Sequence, residues 1–231
     1  MSTILNFETW FGDRVRDSGA KITPSQIDRA IVEAAKRYTR VRPIEAVQDY
    51  AGDGVLFDFA LPTGWMPDLS TVRSLEYPAG QRPASMLESE DWTLYRLSTS
   101  VQKIRLISLT PSTGETLRIT WTKPHLIDGS SSTIPGNDEE AVANLAAAIG
   151  LRELAAHYAN TVDPTLTADS VNYRSKSSEY LKLASELEQQ YRAHMGIKDE
   201  GAEIVAGGTM LDVDRANSVN QDQLTHPNRW R

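Results

Sequence analysis

From Ala46 to Lys123 the hydrophobic residues of this chain recur at every second position, and on both sides of that block they recur at helical spacing. A chain patterned this way builds two kinds of layer, because a strand buries one face of a pleated ribbon and a helix buries one stripe of a cylinder. Within the block Val55, Phe57, Phe59 and Leu61 alternate with Leu56, Asp58 and Ala60, while Leu117, Ile119 and Trp121 alternate with Arg118, Thr120 and Thr122. Weaker strand patterns lie at Val72 to Tyr77, Trp92 to Leu97 and Lys103 to Leu109, divided by the turn-rich stretches AGDG, LPTGWMPD, YPAGQRP and TPSTGE. No crossover helix separates these strands, so an antiparallel sandwich or barrel-like subdomain is expected.

The flanking helices carry their own punctuation. In TPSQIDRAIVEAAKRYTRV, Thr23 is the expected N-cap, Pro24 the first helical residue and Gln26 the capping-box partner. Ile27, Ala30, Ile31, Ala34, Tyr38 and Val41 form its apolar stripe, and Arg42-Pro43 ends it because a residue before proline is pushed out of the helical region. A shorter helix is expected from Leu5 to Arg16, with Leu5, Trp10 or Phe11, and Val15 on its inner side. Helix resumes at NDEEAVANLAAAIGLRELAAHYANTV, read with Asn137 as N-cap, Glu140 as its partner and an apolar stripe of Val142, Leu145, Ile149 and Ala156. A last helix from about Ala168 to Met195 presents Tyr180, Ala184, Leu187 and Tyr191, and Gly196 stops it. The expected fold class is therefore α+β: a helical bundle from residues 1–43 and 137–196, with residues 44–136 as an inserted β subdomain.

Beyond Gly196 neither period holds. Residues 197–231 read as an extended arm with isolated apolar anchors at Ile204, Val205, Met210, Leu211, Val213 and Trp230, the last between Arg229 and Arg231. The start of the last helix, DSVNYRSKSSEY, is rich in indifferent helix formers. Small side chains at Ser175, Ser177 and Ser178 admit the close approach of another subunit, and that face is the expected subunit contact.

Composition narrows the function classes. The chain has 231 residues, no cysteine and a formal net charge of −7. The first point permits a sizeable core, the second removes disulfides, thiolate nucleophiles and cysteine zinc sites, and the third lacks the basic stripe of a nucleic-acid clamp. No run approaches the roughly 18 apolar residues of a membrane span, and the N-terminus does not read as a signal peptide, so no membrane partner and synthesis in a host cytoplasm are expected.

Catalytic and metal motifs are weak throughout. The four histidines, His125, His157, His194 and His226, have no second ligand at metal spacing. DVDRANSVNQDQ begins like a calcium loop, but Ala216 and Asn217 stand where a ligand and the turn glycine belong, and Gln223 replaces the bidentate glutamate. The carboxylates Asp53, Asp58 and Glu88 to Asp91 are read as solvated turn residues, although a hydrolase or carbohydrate-binding module built on them is the alternative from another class. No phosphate-binding glycine loop or nucleophile elbow occurs. Trp92, Trp121, Phe57 and Phe59 are read as core, with Arg96, Lys103, Arg105 and Arg118 near enough in sequence to keep a stacking surface for single strands open. No cofactor and no catalysis are expected.

The succession TPSQIDRAIVEAAKRYTRVRP, AVQDYAGDGVLFDFALPTGW, NDEEAVANLAAAIGLRELAAHYA and SVNYRSKSSEYLKLASELEQQYRAHMG resembles the head-to-tail connector (adaptor, neck) proteins of tailed bacteriophages. That resemblance covers most of the chain in element order. It implies a noncatalytic virion protein at the head-tail interface, a ring oligomer of neighbouring copies, expected as a dodecamer, beneath the portal protein. The arm docks on the portal, a tail, tail-terminator or neck protein follows below, and DNA passes through the lumen without specific binding. Another ring-forming neck or tail-completion protein is the nearest alternative. An acidic lumen repels phosphate, which the net charge allows.

Overall fold

The computed structural model describes residues 2–17, 19–98, 101–159 and 173–197, with the side chains of 173–175 outside that description. Met1–Met195 forms one compact unit and Gly196–Arg231 a second, of which only Gly196 and Ile197 are described. Among the described residues the chain is mixed α+β. Helices α1 (Ile4–Arg14) and α2 (Pro24–Val41) precede six strands, β1 (Ile44–Ala51), β2 (Asp58–Ala60), β3 (Val72–Glu76), β4 (Trp92–Arg96), β5 (Gln102–Leu106) and β6 (Thr116–Lys123). Helices α3 (Gly136–Ala159) and α4 (Tyr173–Met195) follow. The principal contacts are helix to helix, with α3 against α1, α2 and α4, and strand to strand.

Local chemistry explains most of these boundaries. At the start of α2 the Thr23 backbone N–H donates to Gln26 Oε1 at 2.8 Å, with Pro24 at the first helical position, as the sequence predicts. Its buried face is Ala30, Ile31, Ala34, Ala35, Tyr38 and Thr39, so the stripe lies one position round from the predicted one, with Ile27 and Val41 half-buried. At the end of α4, Gly196 adopts φ +73°, the left-handed conformation that terminates a helix at little cost only for glycine.

Three expectations need correction. Helix α1 buries Phe7 and Phe11, with its C-cap Val15, and leaves Leu5 in solvent, because its inner face points at α3 rather than along the stripe drawn from Leu5. Asn137 is not the N-cap of α3: the helix starts at Gly136, with the Asp138 N–H donating to the Pro135 carbonyl at 2.8 Å. Nor does α3 have one apolar stripe. Ala141 to Ala148, Gly150, Leu151, Leu154 and Ala155 are all buried, Ile149 is half-buried and Ala156 is exposed. From Ala141 to Leu151 the helix lies among three others and keeps no exposed polar face, and its alanines let the neighbours come close.

The strands form two three-stranded antiparallel sheets, ordered β1-β6-β3 and β2-β5-β4. Strand β1 pairs along its whole length with β6, from Ile44 opposite Lys123 to Ala51 opposite Thr116. One hydrophobic cluster draws on both sheets: Phe59, Leu75, Ile104, Leu106, Leu117, Ile119 and Trp121. The predicted strand from Val55 to Leu61 is much shorter. Only Asp58–Ala60 pairs, and Phe59 alone of its alternating residues is buried.

Candidate functional site

The shortening of β2 leaves a run of large apolar side chains in solvent. Val55, Leu56 and Phe57 are 74, 52 and 45% exposed, and Ile107, following the partner strand β5, is 62% exposed. The loop that carries them is firmly held. The Val55 and Leu56 N–H groups donate to Asp53 Oδ1 at 2.8 and 2.7 Å, which also keeps the Asp53 carboxyl below its ordinary range. Gly54, at φ +82°, donates its N–H to the Pro111 carbonyl at 2.9 Å, and Thr113 Oγ1 donates to the Asp53 carbonyl at 2.9 Å. Gly52 packs so tightly on the next loop that a Cβ there would lie 2.3 Å from the Ser112 carbonyl oxygen. Below the run, Arg105 makes a bidentate pair with Asp58 at 2.7 Å and stacks on Tyr95 and Phe57, its guanidinium carbon 3.6 and 5.4 Å from the two ring centres. Exposed apolar surface on a braced loop is an arrangement suited to contact with another protein.

A second constellation forms where the chain passes between helices and sheets. The Asp138 carboxylate, buried at the start of α3, accepts hydrogen bonds from Tyr38 Oη at 2.5 Å, from Arg42 Nη1 at 3.0 and 3.1 Å and from His194 Nε2 at 2.8 Å. Burial pushes its pKa up, but the three donors and the Arg42 charge outweigh burial and hold it below the usual carboxylate range. Tyr38 moves the opposite way, raised by burial and by donating to an anion. Beside them the His125 ring meets the Tyr38 ring edge-on, 4.8 Å between centres. Tyr38, Arg42, His125, Asp138 and His194 line an open hollow of ≈ 690 Å³. The ends of α2 and α4, the start of α3 and the segment returning from β6 thus meet at one carboxylate. Every hydrogen-bonding position around it is filled by the chain itself, which suits a fastening rather than a catalytic acid or base.

The sequence-predicted site residues fall elsewhere. Ile204, Val205, Met210, Leu211, Val213, Arg229, Trp230 and Arg231 lie outside the described residues, as does the Ser175 side chain. Ser177 turns inward and donates to the Ala155 carbonyl at 2.9 Å, whereas Ser178 is exposed on the helix surface. The carboxylates set aside as turn residues are engaged structurally: Asp58 with Arg105, Asp53 with its loop, Asp91 with Ser108 Oγ at 2.5 Å. Of the stacking candidates, Phe59 and Trp121 are core, and Arg105 and Arg118 pair with Asp58 and Asp49. Sequence reading missed the Asp138 constellation, since its members stand up to 100 residues from that carboxylate. A helix-start aspartate buried away from capping is invisible in a linear pattern.

No family model and no curated protein matches this chain. Among solved structures it is similar to a chain of the virion of a native gene transfer agent particle, at 16% identity over 77% of this chain and 87% of that one, with a TM-score of 0.29. It is also similar to a chain in the neck of an empty particle of that kind computed with C6 symmetry, at 14% identity, 75% and 87% coverage and TM-score 0.30. A third is a chain in the neck of the native particle computed with C12 symmetry, at 18% identity, 68% and 79% coverage and TM-score 0.26. At TM-scores below 0.5 these likenesses carry no argument about this chain.

Proposed function

We propose that this chain is a noncatalytic structural protein of a phage-like virion neck, a head-to-tail adaptor whose copies form a ring, expected as a dodecamer, under the portal protein. The observation that carries this reading is the element order: helices α1 and α2, a block of strands, then α3 packed back on the first pair and α4 on α3. It is the order on which the sequence resembles head-to-tail connectors. In this reading the helices and the inserted strands are separate structural parts, and residues 197–231 are the docking arm, with Ile204, Val205, Met210, Leu211, Val213, Arg229, Trp230 and Arg231 meeting the portal. Ser178 contributes to the contact between copies, with Ser175 and Ser177 at the same helix start. A tail or neck protein meets the opposite side, and DNA passes without being gripped.

The test mixes the purified full chain with portal rings and images the product. A chain lacking residues 207–231 should keep its thermal stability and fail to attach, and Trp230→Ala alone should weaken attachment by about 2 kcal/mol, as expected of a buried aromatic anchor. Unaltered attachment of the truncated chain removes the docking role from the arm. Copurification with a tail-tube protein in place of the portal assigns the chain to another neck position.

The braced run Val55-Leu56-Phe57 is the second contact in this reading. Leu56→Asp should leave the unfolding free energy within about 0.5 kcal/mol, since the side chain is exposed. Particle incorporation of the same variant should fall. A variant that is incorporated as well as the parent shows that the run touches nothing in the particle.

A further inference from the structure

Of the four strands at the margins of the two sheets, the chain covers two and leaves two open. On β3 the Leu87 N–H donates to the Leu75 carbonyl and the Tyr77 N–H to the Ser85 carbonyl, both at 2.8 Å, so residues 85–87 cover that edge. The three-residue β2 is met by Tyr50 Oη, which donates to the Ala60 carbonyl at 2.7 Å. Strands β1 and β4 are different: among the described residues no backbone group bonds to their outer edges. In an antiparallel ladder every second residue turns its N–H and C=O toward the partner strand, and the residues between turn theirs away. The Gly52 N–H donates to the Glu115 carbonyl at 2.8 Å, one step in register beyond Ala51 opposite Thr116. The even residues of β1 therefore bond to β6, and Glu45, Val47, Asp49 and Ala51, all exposed, point their amide groups outward. Beside β4 the Ile107 N–H donates to the Asp91 carbonyl at 2.8 Å and the Leu97 N–H to the Val101 carbonyl at 2.9 Å. Its odd residues bond to β5, which leaves the amide groups of Trp92, Leu94 and Arg96 pointing outward.

We propose that the outer edge of β1 in one copy pairs antiparallel with the outer edge of β4 in the next copy, so that sheet β1-β6-β3 of one molecule continues into sheet β2-β5-β4 of its neighbour. An open edge strand of eight residues, without proline or bulge, is a ready template for another strand. Matching the outward amide groups sets Glu45 opposite Arg96, Val47 opposite Leu94 and Asp49 opposite Trp92. Side chains directly opposite each other interact, and opposite charges or two apolar groups stabilise the pair. Glu45 and Arg96 have no ion-pair partner among the described residues, and Val47 and Leu94 are 59 and 37% exposed. The Asp49 charge is already answered by Arg118, so it brings no unpaired anion to the indole. Two β1 edges pairing about Val47 would instead set Glu45 against Asp49 twice, and like charges directly opposite are destabilising. Charge thus selects β4 of a second copy as the occupant. A contact between two different edges repeats from copy to copy and closes into a ring where the rotation allows. The inference deepens the ring reading and rests on its claim that copies adjoin, but it needs neither the arm nor the portal contact.

The test uses the full chain, which has no cysteine, so an introduced pair reports alone. Val47→Cys and Leu94→Cys are prepared as separate proteins; each of them and their equal mixture is assembled alone and on portal rings, then mildly oxidised. Opposed Cα atoms of paired strands lie about 5.5 Å apart, within the span of a disulfide. A covalent dimer should form in the mixture and in neither variant by itself. Glu45→Arg should weaken assembly about two- to fivefold, and Arg96→Glu added to the same chain should restore it. Cross-linking of either cysteine variant alone as strongly as the mixture means that like edges meet, and overturns the inference. A parent that assembles while the mixture stays uncross-linked overturns it too, and leaves the ring reading to rest on other contacts. A parent that forms no assembly, alone or on portal rings, overturns the ring reading and this inference with it.

Discussion

Replacing Gly150 with alanine should destabilise the protein by about 1–3 kcal/mol, the usual cost of overpacking a core, although helix propensity alone favours alanine by about 1 kcal/mol. The two effects have opposite sign, so the measured direction says which one governs. Gly150 lies inside α3, where α1 crosses it, and a Cβ built there would lie 2.3 Å from Phe11 Cζ and 2.6 Å from Cε2. Phe11 is 1% exposed, and its ring must shift for an alanine to fit. Phe11→Ala should itself cost about 3–5 kcal/mol as a large-to-small core change. In that background the clash is gone, and Gly150→Ala should become neutral or stabilising. Chemical denaturation of the four proteins of this double-mutant cycle checks the claim, and a stabilising Gly150→Ala in the parent would show that the two helices do not meet at this glycine.

Asp138→Ala should cost about 2–3 kcal/mol near neutral pH, because it leaves the buried Tyr38 hydroxyl and the Arg42 and His194 donors without their common acceptor. Arg42 is half exposed and recovers part of its loss from water, which keeps the figure below that of a fully buried ion pair. Asp138→Asn should be milder, since the amide oxygen still accepts one bond. The pH dependence has a definite sign. A carboxyl held below its usual range contributes stability that is present above the unfolded value of 3.8 and disappears as pH falls through the lower folded value. The parent should therefore lose stability more steeply than Asp138→Ala below about pH 4. Parallel acid profiles in urea titrations of the two proteins would mean that the carboxylate is not held by its partners.

Much of the helical architecture was written locally. Thr23, Pro24 and Gln26 start α2 through contacts within four residues, Arg42-Pro43 stops it, and Gly196 ends α4, so each signal is complete in a short window. The period of two likewise located β3 to β6 to within a few residues. Strand β1 escaped notice because its half-buried positions are Ile44, Ala46, Gln48 and Tyr50, two of them polar, while Val47 on its other face is exposed. Gln48 and Tyr50 are tied down by partners from a different segment, the Thr63 N–H donating to Gln48 Oε1 and Tyr50 Oη donating to the Ala60 carbonyl, and no hydrophobic count records that.

The reverse error occurred at Val55 and Leu56, where alternation marks a strand but a turn anchored on Asp53 and Pro111 holds the residues out of the ladder, which begins where the Phe57 carbonyl accepts from the Leu106 N–H at 2.8 Å. Sequence alone determined which stretches are helical or extended and where most of them end, since capping, proline geometry and periodicity act over a few neighbouring residues. Only the tertiary structure decided that α3 is enclosed on nearly all sides, that Phe11 rests on Gly150 and that Tyr38, Arg42, His125 and His194 gather about Asp138. Those contacts join residues up to 139 positions apart, from Phe11 to Gly150, and their energy depends on distance in space and on exclusion of water, neither of which the order of residues records.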